Sequence, residues 1–195
     1  MKNLTFGYIL VCVTFVCICE ISSEDNSSRP FQLRLVKMLC IDQPYTRAIL
    51  HHCKTVLRRN QPTLLNLSLT VPEVITECFV SLKIEYKFNL YQPFLFDTMI
   101  EGCQFLRTRP VDPLSTYLYN IFEETLPTVV RPCPHGNRTY DILWTMDERL
   151  SPRSVPAGDY RVTAHWRLED NVTLLNLQIY CTVRRKGIFR SMIEW

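Results

Sequence analysis

The run CFVSLKIEYKF, residues 78–88, decides the fold. Cys78, Val80, Leu82, Ile84, Tyr86 and Phe88 alternate with Ser81, Lys83, Glu85 and Lys87, so a period of two divides an apolar face from a polar one. That is a long strand with one buried face. The same period recurs downstream in Tyr160, Val162, Ala164, Trp166 and Leu168, set against Arg161, Thr163, His165 and Arg167. After a turn at Glu169-Asp170-Asn171 it resumes through Thr173, Leu175, Leu177, Ile179, Cys181 and Val183, which predicts a hairpin. Upstream, Leu65, Leu67, Leu69 and Val71 alternate with Asn66, Ser68 and Thr70. Weaker strand patterns cover Phe31–Cys40, His51–Arg58, Pro93–Ile100 and Tyr140–Trp144. One helix is expected, from Pro113 to Glu124: Asp112 is a helix cap, proline suits the first helical position, and Leu114, Leu118, Ile121 and Phe122 recur at helical spacing. Many strands with one short helix predict an all-β, immunoglobulin-like sandwich of two sheets.

The ends of the chain read differently. Lys2 precedes an apolar run from Phe6 to Cys19, followed by polar residues to Arg29. This is the layout of a secretory signal, and the apolar core is shorter than the roughly 20 residues a membrane-spanning helix needs. The expected organisation is a signal peptide at 1–19, a disordered segment at 20–30, the sandwich domain at 31–184 and a tail at 185–195. The protein is therefore expected to be secreted and extracellular.

Export gives the cysteines and sequons their meaning. Three of the nine cysteines leave with the signal, and Cys40, Cys53, Cys78, Cys103, Cys133 and Cys181 remain. An even set in an oxidising compartment predicts three disulfides, and arithmetic alone leaves their connectivity open. Cys78 and Cys181 each share a face with core residues of their strands, so they are expected to pair. Cys40 and Cys53 flank the turn at Pro44 and could close a local loop, which leaves Cys103 and Cys133 to bracket the helix. Sequons at Asn26, Asn66, Asn137 and Asn171 are expected glycosylation sites.

No catalytic residue is expected, because the chain has four histidines and lacks the nucleophile-elbow, zinc-protease and phosphate-loop motifs. No metal or cofactor is expected: none of the six cysteines forms a CxxC pair, and the side chains of His51, His52 and Cys53 alternate faces along a regular strand. The formal charge of +3 is small and spread out, so nucleic acid is not an expected partner. What stands out is aromatic bulk. A space between sheets lined by Leu82, Ile84, Tyr86, Phe88, Phe94, Phe96, Tyr160 and Trp166 would hold an apolar ligand by burial, at about 25 cal/mol per Å².

Several motifs point to a family. Tyr91-Gln92-Pro93-Phe94-Leu95-Phe96, Gly102-Cys103-Gln104-Phe105-Leu106, Tyr119-Asn120-Ile121-Phe122, Cys133-Pro134 and Val155-Pro156-Ala157-Gly158-Asp159-Tyr160 resemble, in order and spacing, a group of small secreted insect proteins known as a domain of unknown function. That group is similar to the ML lipid-recognition superfamily, which includes ganglioside-activator-like and insect chemosensory proteins. The resemblance covers roughly Leu35 to Val183. It departs at His135, where the group usually has tyrosine after Cys-Pro, and at Cys78 and Cys181, which are additional to the group's four cysteines. It implies an ML-type sandwich whose sheets part to admit a lipid or hydrophobic semiochemical, without catalysis, in sensory or reproductive tissue. A membrane receptor is a further expected partner. The competing expectation is a secreted glycoprotein ligand or co-receptor that acts through its surface and has a fully packed core.

Overall fold

The computed structural model describes residues 31–150 and 155–185. The expected signal peptide, the segment at 20–30 with Asn26, and the tail beyond Arg185 lie outside the described residues. The elements are β1 (Phe31–Cys40), β2 (Ile49–Val56), β3 (Leu64–Ile75), β4 (Phe79–Lys87), β5 (Tyr91–Glu101), α1 (Gly102–Thr108), α2 (Pro113–Thr125), β6 (His135–Trp144), β7 (Gly158–Arg167) and β8 (Thr173–Arg185). They form a five-stranded sheet, β1-β8-β7-β4-β5, and a three-stranded sheet, β2-β3-β6. Every pairing is antiparallel.

Register carries the alternation across the larger sheet. Leu82 lies opposite Ala164, and Ala164 opposite Leu177. Tyr86 lies opposite Tyr160, Tyr160 opposite Cys181, and Cys181 opposite Leu35. In the smaller sheet Leu65, Leu67 and Leu69 face Trp144, Ile142 and Tyr140. The buried core joins these inner faces through Leu35, Leu65, Leu67, Leu69, Leu175 and Leu177, each worth roughly 1.5–3 kcal/mol of burial.

The two long sides of the sandwich are closed by different means. At one side the Cys40–Cys53 disulfide joins β1 to β2, and the Met38 backbone N–H donates to Thr55 Oγ1 at 2.8 Å. At the other, β5 leads through α1 and α2 to β6. There Cys103–Cys133 ties α1 to the loop before β6, and Trp144 Nε1 donates to Thr125 Oγ1 at 2.9 Å. The Asp112 carboxylate accepts from the Ser115 N–H at 2.8 Å and starts α2 at the expected proline.

Three expectations need correction. A second helix, α1, follows β5 directly. Its cap is Glu101, whose carboxylate accepts from the backbone N–H groups of Cys103 and Gln104. Glutamate is outside the usual capping set, and seven residues are too few to display a helical period. Second, two disulfides form among the described residues, and Cys78 and Cys181 are thiols. They share the inner face but not the height. Register sets Cys181 level with Tyr86, eight residues along the chain from Cys78, or roughly 26 Å at strand rise; a disulfide needs Cα atoms within about 7 Å. Third, a bulge between Leu50 and His52 breaks the alternation assumed for β2. Both imidazoles therefore reach β3, His51 Nε2 at 2.7 Å from Thr70 Oγ1 and His52 Nε2 at 2.7 Å from Asn66 Oδ1. No cluster of three or more metal-ligating side chains occurs among the described residues.

Candidate functional site

The inner face of the larger sheet is packed unevenly. On β1 and β8, Leu35, Met38, Leu175, Leu177, Cys181 and Val183 belong to the buried core. On β4, β5 and β7, Val80, Leu82, Phe96, Ile100 and Val162 carry the same alternation yet are only half-buried. None of these five packs against the core cluster. The helices hold their own buried residues, Cys103, Tyr119 and Ile121, which also stand apart from that cluster. The β4–β5–β7 face is thus only partly packed: Ile84, Tyr86, Phe94 and Trp166 lie against the core and Tyr160 belongs to it, and the half-covered apolar side chains beside them form a shallow trough.

One end of the trough is aromatic. Tyr86 stands at the centre, with ring centroids 5.1 Å from Tyr160, 5.5 Å from Phe94 and 4.7 Å from Phe88. Edge-on and tilted contacts at these distances suit ring quadrupoles. The phenols also anchor the segment entering β7: Tyr86 donates to the Ala157 carbonyl at 3.0 Å and Tyr160 to the Pro156 carbonyl at 2.7 Å. Burial pushes the Tyr160 hydroxyl up to about 12, with Tyr86 adding to the effect, so it stays a donor. Gly158 makes room for this cluster, since a Cβ there would stand 2.3 Å from Cε2 of Tyr86.

Of the residues expected to line a ligand space, Leu82, Ile84, Tyr86, Phe94, Phe96 and Trp166 are half-buried on the inner face, and Tyr160 is 3% exposed. Phe88 departs from the expectation. β4 ends at Lys87, the Phe88 N–H turns to the Leu90 carbonyl at 3.1 Å, and Phe88 is 59% exposed at the rim. Alternation cannot register where a strand stops. Val80, Ile100 and Val162 were missing from the expected lining although the same period places them there.

The opposite, outer face of the sheet is polar and rigid. Glu85 is only 5% exposed because Arg161 grips its carboxylate twice, at 2.5 and 2.8 Å. Arg161 in turn lies 4.7 Å from the Tyr91 ring centroid, and Lys37 lies 4.3 Å from that of Tyr180. The hydrogen bonds from Arg161 hold the Glu85 carboxyl below its ordinary value. The two thiols are unlike catalytic nucleophiles: burial, then the Glu101 carboxylate, pushes Cys78 up to about 11, and burial pushes Cys181 to about 12.

Residues 80–162 match a family described as a protein of unknown function (DUF1091). The matched stretch runs from β4 into β7 and includes the trough strands. No curated protein matches the sequence. Among solved structures, chicken MD-1 complexed with lipid IVa is similar at 13% identity and a TM-score of 0.31, covering 80% of this chain and 99% of that one. A Niemann–Pick type C2 protein from Japanese carpenter ant is similar at 11% identity and a TM-score of 0.28, covering 76% and 89%.

Proposed function

We propose that the protein is a secreted, non-enzymatic carrier that holds a lipid or hydrophobic semiochemical between its two sheets, in chemosensory or reproductive signalling. The observation that carries this reading is the trough: Val80, Leu82, Phe96 and Val162 are apolar, half-covered and outside the packed core, although their neighbours Ile84 and Trp166 pack against it. A ligand laid along it gains burial that the protein's own side chains leave unused. A relationship to insect lipid-recognition proteins is part of the reading, and the family match supports it by spanning the Tyr91–Phe96, Gly102–Leu106 and Val155–Tyr160 motifs. Two disulfides support an oxidising compartment. A glycoprotein ligand with a fully packed core is disfavoured by the half-covered face.

Native mass spectrometry of protein from a eukaryotic secretory host, before and after organic extraction, tests the proposal. A co-purified lipid mass lost on extraction, and uptake of a fluorescent fatty acid by the extracted protein, are expected. A lipid-free protein that also takes up no fatty acid would overturn it.

A further inference from the structure

The two sheets each send one hairpin tip to the same end of the molecule. Cys40 meets Cys53 and Met38 meets Thr55 across the β1–β2 seam, so Leu57, beyond the end of β2, continues toward the end where β1 begins and β4 finishes. The β2–β3 tip there carries Leu57, 76% exposed, followed by exposed Arg58 and Arg59. The β4–β5 tip carries Lys87, Phe88 and Leu90, and Leu90 is 75% exposed. Large apolar side chains at two tips of the same end, one at each long side of the sandwich and each beside cations, form the pattern of a surface that meets a lipid interface.

Charge selects the kind of surface. Lys87, Arg58, Arg59 and Arg34 are exposed and form no ion pair among the described residues. The acids near this end are already engaged: Glu85 by Arg161, Asp159 by Arg184, Glu123 by Arg109, and Glu124 and Asp147 by Arg149. Two of the described sequons lie away from both tips: Asn171 turns the β7–β8 hairpin at the far end and Asn137 lies near the start of β6, while Asn66, paired with Lys54, lies near the β2–β3 tip. Glycans at Asn137 and Asn171 would leave the tips clear.

We propose that this end docks on an anionic lipid bilayer, with Leu57, Phe88 and Leu90 entering the headgroup region and Lys87, Arg58 and Arg59 facing lipid phosphates. The aromatic end of the trough then opens at the membrane. The evidence for docking is independent of the carrier reading, which supplies only its purpose.

Vesicle flotation with the full secreted chain tests it, using phosphatidylcholine vesicles with and without phosphatidylserine. Flotation with the anionic vesicles, weakened by salt, is expected. Leu57→Ser with Leu90→Ser should lower it at least about tenfold, and Lys87→Glu about fivefold or more, with melting temperatures unchanged. Leu90→Ser should still take up fluorescent fatty acid from solution, so loss of uptake in the unaltered protein sinks the carrier and not the docking. Unchanged flotation in the variants, no flotation of the parent protein, or a tip substitution that splits a dimer without altering flotation would overturn the docking proposal.

Discussion

The inner face of the five-stranded sheet is one apolar surface with two fates. Under β1 and β8 it meets the smaller sheet and packs shut, with Leu67 and Leu177 in the same buried core. Under β4, β5 and β7 it carries the same kinds of residue at the same spacing, and Leu82, Phe96 and Val162 stay half-covered. The sequence pattern of the two halves is indistinguishable. The difference lies in what covers each half: β1 and β8 meet the smaller sheet beside the disulfide-linked β1–β2 seam, while β4, β5 and β7 keep several inner side chains half-covered.

The sharpest way to break this contrast is to remove one leucine from each half. Leu67→Ala should cost about 3 kcal/mol in urea unfolding, because a buried cavity is left behind. Leu82→Ala should cost about 1 kcal/mol, because its side chain gives up only partial burial. Equal losses would mean that the trough is packed as tightly as the core.

Glu85→Gln bears on the outer wall of the trough. Leaving Arg161 without its carboxylate should cost about 2 kcal/mol at neutral pH, discounted for the partial exposure of the arginine. The sign of the pH dependence follows from the lowered carboxyl. Its stabilisation is complete above the unfolded value of about 4.3 and is lost as pH falls through the lower folded value. The variant should therefore unfold less steeply with acid than the parent does; parallel acid profiles would rule out this pair as a determinant.

Gly158→Ala presses on the aromatic end and should cost about 1–2 kcal/mol as Tyr86 is displaced. Fatty-acid uptake should fall with it. The smallest effect is chemical. Cys78 should alkylate slowly in the native protein and Cys181 not at all, with both reacting after denaturation. Non-reduced peptide maps should link Cys40 to Cys53 and Cys103 to Cys133; a Cys78–Cys181 peptide would contradict the strand register.

Those pairs also mark what could be read in the sequence. Alternation identified the faces of β3, β4, β7 and β8, and Asp112-Pro113 located α2, because both signals are local. Height along a strand is not local: it placed Cys181 beside Tyr86 instead of Cys78, and only the pairing register fixes it. The Glu101 cap, the bulge at His51 and the end of β4 before Phe88 were hidden for related reasons, since each depends on a single backbone turn that leaves the residue pattern unchanged. Of the expected lining, seven side chains reached the inner face and one reached the rim, while the coverage that makes a trough of them depends on elements far away in sequence.

Tryptophan fluorescence reads that coverage directly. The chain has three tryptophans, at 144, 166 and 195, and Trp166 alone is on β7, inside the trough strands. In a variant carrying Trp144→Phe and Trp195→Phe, a fatty acid brominated along its tail should quench Trp166 emission saturably. Fluorescence that stays unquenched while the same fatty acid binds would contradict a ligand site between the two sheets.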